Sequence, residues 1–127
     1  MNSVIEEWRA KAAADFATAR RELAAQDEPN YDAVCFHAQQ CVEKVMKALL
    51  IFCDAEVPRT HDLVFLAAAL KQQGLGWDAA TEDLRFLTRA AVAFRYPGES
   101  AERADAEEAL RLCDQLWQSL HPLLTRR

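Results

Sequence analysis

Four polar residues with the chemistry to hold an anion recur at helical spacing in one part of the chain. They lie three or four positions apart and are His37, Gln40, Lys44 and Lys47. At about 100° of turn per residue, this spacing places them on one strip of a helix. An imidazole, an amide and two ammonium groups on one strip can donate hydrogen bonds to a phosphate or a carboxylate. The alternative is a solvated helix face whose histidine bonds to a neighbouring side chain.

Arg95 is a further candidate for an anion contact. It is followed by Tyr96 and Pro97, and the residue before a proline avoids helical backbone, so a helix is expected to end here. The planar guanidinium group of Arg95 can clamp a phosphate or a carboxylate, and we include Tyr96 in the same candidate site. The alternative role is a cation that interacts with the dipole at the end of the helix.

His61 lies between two residues that are typical of a helix start. Thr60 is predicted to be the N-cap, and Asp62 is predicted to lie in the first turn, where its charge favours the helix dipole. Helix N-termini attract anions, so His61 can point into an anion-binding pocket, although Asp62 already offsets part of that positive potential. The alternative is a helix cap without a ligand.

The overall charge argues against a large nucleic-acid surface. The chain has a net charge of −5 at pH 7, and binding to duplex DNA usually requires a basic face. A small local basic site remains compatible with this charge. Arg85 and Arg89 lie close together, with Glu82 and Asp83 just before them, and they predict a salt-bridged exterior.

The periodicity of apolar residues predicts helices throughout and no strands. Prolines and glycines divide the chain into predicted helices at about residues 4–25, 31–53, 62–73, 79–95 and 100–121. Ser3 and Ser100 are the predicted N-caps of the first and the last helix. We therefore predict an all-α fold, an antiparallel up-and-down helical bundle of four long helices and one short crossing helix, as a single domain over residues 1–127.

The second predicted helix carries two stripes that avoid solvent. The first stripe comprises Val34, Ala38, Cys41, Val45, Ala48 and Phe52, and the second comprises Phe36, Gln39, Glu43, Met46, Leu50 and Cys53. One stripe suffices to cover the core of a small bundle. The second stripe therefore predicts a homodimer, with Phe36, Met46 and Leu50 at its interface.

The chain shows no predicted metal or cofactor site and no membrane segment. Its four cysteines form no C-x-x-C pair, and most of them sit in an apolar helix, where free cysteine behaves as a small hydrophobe. The start of the chain lacks the apolar core of a signal peptide, and no run reaches the roughly 20 apolar residues of a membrane span. A cytoplasmic protein with reduced thiols is the expectation.

Five blocks of residues, in order, resemble the HEPN family. They are, first, Tyr31-Asp32; second, Cys35-Phe36-His37-Ala38-Gln39-Gln40; third, Glu43-Lys44 with Lys47-Ala48-Leu49-Leu50; fourth, Thr60-His61-Asp62-Leu63; and fifth, Arg95-Tyr96-Pro97. The resemblance covers roughly residues 5 to 120. It implies a dimerising helical bundle in a stand-alone prokaryotic protein, often encoded beside a small nucleotidyltransferase-like partner. It also implies either ribonuclease activity, as in the toxins of this family, or nucleotide binding.

The ribonuclease branch of that family carries an arginine followed by four to six residues and then a histidine. Arg95 matches the arginine, but residues 96–102 contain no histidine, so the general acid or base that RNA cleavage needs is missing there. We therefore predict a non-catalytic homodimer that binds a nucleotide or other phosphorylated ligand, docks a nucleotidyltransferase-like partner in a toxin–antitoxin-type system, or does both. The alternative is a metal-independent ribonuclease with an atypical site that uses His37 or His61.

Overall fold

Five α-helices make up the protein in the computed structural model, which describes residues 2–125. They are α1 (Ser3–Ala24), α2 (Tyr31–Phe52), α3 (Leu63–Lys71), α4 (Thr81–Ala93) and α5 (Arg103–Leu120), and a short 3₁₀-helix (His121–Thr125) follows α5. No strand occurs within residues 2–125. The predicted all-α bundle with one short helix is confirmed. None of the helices in this range has the length and apolarity that a membrane crossing requires.

Helix α2 lies at the centre of the bundle and contacts all four other helices. Both of its predicted stripes are covered within one chain, since Val45 of the first stripe and Met46 and Leu50 of the second are fully buried. Gln39 and Glu43 of the second stripe bond to His61, just before α3. The prediction that Met46 and Leu50 lie at a dimer interface is therefore wrong, because both side chains are fully buried within the single chain. Phe36 is only half-buried, and its place at an interface stays a prediction. The homodimer itself stays a prediction.

Two helices begin at a different residue from the one predicted. Helix α1 is capped by Asn2, whose Oδ1 accepts a hydrogen bond of 2.8 Å from the backbone N–H three residues later, so Ser3 is not the cap. Helix α5 is capped by Glu102, not Ser100, and a reciprocal capping box joins Glu102 to the carboxylate three residues later. Several neighbouring polar residues are able to cap each helix, and sequence alone does not choose between them.

Candidate functional site

The buried carboxylate of Glu43 is the centre of a hydrogen-bond network on α2. Its Oε1 accepts hydrogen bonds from the Nε2 atoms of Gln39 at 3.0 Å and Gln40 at 3.3 Å. The same oxygen lies 3.0 Å from Nδ1 of His61. Its Oε2 accepts a hydrogen bond of 3.0 Å from Nζ of Lys47, one helical turn later. Glu43 is 3% exposed, so this network is a buried feature rather than a surface ion pair.

The network fixes the charge of Glu43 and the orientation of His61. Burial alone raises the pKa of Glu43, but hydrogen bonds from Gln39, Lys47 and His61, with the charge of Lys47, outweigh it and leave the pKa below its ordinary value. An ionised carboxylate only accepts hydrogen bonds, so Nδ1 of His61 carries a proton and donates it. Nε2 of His61 is thus left for another partner, as an acceptor when the ring is neutral and as a donor when it is charged.

Two residues of α2 hold His61 in place just before α3, Glu43 through the ring and Gln39 through the backbone. The carbonyl oxygen of His61 accepts a hydrogen bond of 2.9 Å from Nε2 of Gln39. Asp62 is the N-cap of α3, and Thr60 instead accepts a hydrogen bond of 3.1 Å from the backbone N–H of Asp62. The predicted cap at Thr60 is therefore wrong by two residues. Although the side chain of His61 is 80% exposed, its backbone and Nδ1 are both anchored.

Arg95 lies in the turn after α4, which ends at Ala93 and not at Arg95 as predicted. Pro97, two positions later, lacks the N–H that a longer helix needs. The guanidinium carbon of Arg95 lies 5.3 Å from the centre of the Phe36 ring, a cation–π contact that restrains the side chain. No carboxylate within residues 2–125 pairs with Arg95. Its hydrogen-bonding edge is therefore available to an anion.

These groups line one cavity of about 140 Å³ between α2, the segment just before α3, and α4 with the turn after it. Its polar walls are Gln39, Gln40, His61, Thr88 and Arg95, with Phe36 and two α4 residues on the apolar side. Of the predicted site residues, Gln40, His61 and Arg95 thus come together. Tyr96, also predicted, is 64% exposed and does not line this cavity.

The predicted strip on α2 is divided between two buried carboxylates. Lys47 pairs with Glu43, while His37 and Lys44 both bond to Asp15 of α1, at 2.8 Å and 2.6 Å. The cations of the strip therefore already have partners, which weakens the case for them as direct contacts of an anion. Neither carboxylate was among the site residues predicted from the sequence. The sequence did indicate a role for Glu43, because this residue lies on a stripe that avoids solvent and has a lysine four positions later.

The two buried thiols of α2 are not poised for reaction. Burial raises the pKa of Cys35 to about 12, and the nearby charges of Asp105 and Asp32 add to this. A hydrogen bond to Cys113 raises the pKa of Cys41, and burial raises it further. These thiols are protonated at neutral pH and pack as apolar side chains. Within residues 2–125, no three His, Cys, Asp or Glu side chains are grouped so as to hold a metal ion.

Comparisons with known proteins identify the same family by sequence and by structure. The family model of the HEPN domain matches residues 5–121 of this chain. The crystal structure of TT1696 from Thermus thermophilus is similar, with a TM-score of 0.76 and 25% identity over 94% of this chain and 97% of that chain. The fold also resembles ST0689, an archaeal HEPN homologue, with a TM-score of 0.70 and 22% identity over 95% and 98% of the two chains. No curated protein matches. The chain therefore belongs to the HEPN domain family.

Proposed function

We propose that this protein is a non-catalytic HEPN module that binds a nucleotide or other phosphorylated ligand in the cavity lined by Gln40, His61 and Arg95. The observation that carries the proposal is the guanidinium group of Arg95, which has no carboxylate partner within residues 2–125 and shares this cavity with the imidazole of His61. A guanidinium group binds two phosphate oxygens through parallel hydrogen bonds. Nε2 of His61 adds a third donor when the ring is protonated.

The size of the cavity sets which part of the ligand it holds. At about 140 Å³ it is smaller than the roughly 300–1,000 Å³ of pockets that enclose a drug-sized molecule. The phosphate group is expected to enter the cavity, while the rest of the ligand lies on the surface outside. Tyr96 follows Arg95 and is 64% exposed, so its ring is a stacking platform for a nucleobase.

The remaining predicted contacts take a more distant role in this proposal. Lys44 and Lys47 balance the charges of Asp15 and Glu43, so they contribute to the local potential rather than bond to the ligand. His37 bonds to Asp15 and does not line the cavity. Direct contacts from these three residues stay predictions, and the geometry favours Gln40, His61 and Arg95.

The proposal includes a homodimer in the cytoplasm. A two-fold axis that brings two copies of Arg95 towards one groove concentrates positive charge on an acidic protein. Docking to a nucleotidyltransferase-like partner and a role in a toxin–antitoxin-type system are further proposals that rest on membership of the family. Light scattering at micromolar concentration tests the dimer, and a monomeric mass contradicts it.

Replacement of Arg95 by alanine is expected to weaken ligand binding by several-fold to a hundred-fold. This corresponds to the roughly 1–3 kcal/mol of a charge-assisted contact. Arg95→Lys is expected to restore part of the affinity, because lysine keeps the charge but not the planar fork. Calorimetry with a panel of nucleoside mono-, di- and triphosphates measures the effect. Arg21→Ala, an exposed arginine on α1, is the matched control, and equal affinity in both variants removes Arg95 from the site.

The ribonuclease alternative is favoured by one specific observation, the fixed orientation of His61. Its Nδ1 donates to Glu43, its Nε2 is unbonded within residues 2–125, and His61 lines the same cavity as Arg95. This is the arrangement of a general base that a carboxylate orients, next to a cation that stabilises charge on a phosphate. His37, the other histidine considered, does not line that cavity.

An RNA-cleavage assay without metal separates the two functions. Highly purified wild-type protein is expected to cleave a fluorescent single-stranded RNA no faster than His61→Ala, because the binding proposal assigns no proton transfer to His61. A general base contributes about 10²–10⁴-fold to a rate. Cleavage that falls by at least a hundred-fold in folded His61→Ala would overturn the binding-only proposal in favour of the ribonuclease.

A further inference from the structure

Three exposed residues of α4 lie on one face of the helix, and an exposed tyrosine follows in the turn after it. They are Arg85, Arg89 and Val92, at intervals of four and three residues, and Tyr96, and we call these four residues the α4 ridge. At 100° per residue, the spacing of the three helical residues keeps them within a narrow arc of α4, which ends at Ala93. Val92 lines the cavity of Arg95, whereas Arg89 lines a larger cavity of about 540 Å³ together with Phe86, Phe94 and the following turn.

The two arginines of the ridge have no ion pair in the part of the chain that the structure describes. Arginine pairs there join residues of the same helix, and they are Arg9–Glu6, Arg103–Glu107 and Arg111–Glu108. Glu82 and Asp83 precede Arg85 by two or three positions, but neither pairs with Arg85 or Arg89. The salt-bridged exterior predicted for this helix is therefore wrong. On a chain of net charge −5, two neighbouring arginines thus keep their full charge facing solvent.

The same ridge also exposes apolar surface. The large hydrophobic side chains that are more than half exposed within residues 2–125 are Val4, Phe65, Val92 and Tyr96. Val92 lies on the same face of α4 as the unpaired arginines, and Tyr96 lies in the turn that follows the helix. Arginine and tyrosine are enriched in the residues that carry most of the binding energy at protein interfaces. Unpaired charge and exposed apolar area coincide on one face, which is the pattern of a contact surface.

We propose that the α4 ridge docks a second protein whose contact face carries carboxylates around an apolar centre. The carboxylates pair with Arg85 and Arg89, and the apolar centre packs on Val92 and Tyr96. A second copy on a two-fold axis through the ridge would set Arg85 and Arg89 of one copy against those of the other with no anion between them, unlike the proposed Arg95 groove, where the bound phosphate lies between the arginines. Nucleic acid fits less well, because the net charge of −5 repels a long polyanion. Val92 lines the phosphate cavity and Tyr96 is the proposed stacking platform, so the two proposals share these residues. Arg85 and Arg89 lie outside that cavity, so variants of these two arginines test the docking proposal alone.

Binding to a designed peptide tests the ridge directly. The probe is a fluorescein-labelled helical peptide with leucines on one stripe and glutamates on both flanks, measured by fluorescence anisotropy. We expect it to bind the wild-type protein and to bind more weakly as salt increases, since salt screens exposed charges. The double variant Arg85→Glu/Arg89→Glu is expected to lose at least tenfold in affinity, and Val92→Ser several-fold. The same peptide with serine in place of leucine is expected to bind at least several-fold more weakly than the original.

The matched control is Arg20→Glu/Arg21→Glu, which makes the same change in net charge on the exposed side of α1. It is expected to keep peptide affinity within about twofold, and circular dichroism checks that both double variants fold. No binding to the wild type, or equal losses in both double variants, overturns the proposal. Tighter binding of a single-stranded oligonucleotide that Arg85→Glu/Arg89→Glu abolishes reassigns the ridge to nucleic acid. Self-association that the same variant abolishes reassigns it to a second copy of this chain.

Discussion

Replacement of Glu43 by glutamine is expected to lower the free energy of unfolding by about 3–5 kcal/mol, the cost of removing one partner of a buried ion pair. Glu43 is 3% exposed and Lys47 is 8% exposed, and their charged atoms lie 3.0 Å apart. Glutamine keeps nearly the same shape but removes the negative charge. The ammonium group of Lys47 is then buried without a counter-ion, and Nδ1 of His61 loses its charged acceptor.

The size of this effect is expected to depend on pH. The hydrogen bonds of Glu43 keep its pKa in the folded protein below the ordinary value of 4.5. A depressed carboxyl pKa stabilises the folded state fully above the unfolded pKa, and this contribution is lost as pH falls through the folded pKa. The stability difference between wild type and Glu43→Gln is therefore expected to be largest near neutral pH and to shrink below about pH 4.5.

Chemical denaturation followed by circular dichroism at neutral and acidic pH measures both expectations. The matched control is Glu107→Gln on α5, whose exposed pair with Arg103 is 3.7 Å long and should contribute roughly 0–1 kcal/mol. Glu43→Gln/Lys47→Met should recover much of the lost stability, because the uncompensated charge is gone. If Glu43→Gln costs no more than the control, the network is not the stabilising element that its burial indicates.

The helices of this fold were predictable because burial imposes a period that the sequence repeats. The two stripes of α2 were identified from spacing alone, and both are buried except at Phe36, Phe52 and Cys53, which are half-buried. What covers the second stripe was not predictable, because spacing shows that Met46 and Leu50 avoid water but not which helix excludes it. The positions of the caps shifted for a local reason, since Asn2 and Ser3 are both good N-caps and their backbone conformations decide between them.

The candidate site was predictable in part. Spacing placed Gln40 on the right face of α2, and Arg95 and His61 were chosen for their positions at helix ends. Their meeting in one cavity depends on how three helices pack, which no local pattern encodes. The partners of the cations were equally remote, because Asp15 lies 22 residues from His37 and 29 from Lys44. A strip that looked free for an anion was therefore already neutralised by the fold.

Leu50→Glu is expected to unfold the protein rather than to dissociate a dimer. Leu50 is fully buried in the single chain, so the new carboxylate enters an apolar core. The effective penalty for a buried ion is several kcal/mol, and the lost leucine packing costs roughly 2–5 kcal/mol more. Their sum is comparable with the whole stability of a small domain, about 5–15 kcal/mol.

Two control variants separate unfolding from dissociation. Leu50→Met nearly conserves volume and is expected to cost less than about 1.5 kcal/mol. Phe65→Glu puts the same charge on an apolar residue of α3 that is already 57% exposed, and it is expected to remain folded. Thermal unfolding by circular dichroism and mass by light scattering are measured together for all three variants. A Leu50→Glu protein that keeps the wild-type melting temperature and loses only mass would return Leu50 to an interface between subunits. We expect instead no cooperative transition for Leu50→Glu, because Leu50 has no exposed surface in the single chain and a carboxylate at that position cannot be solvated by water.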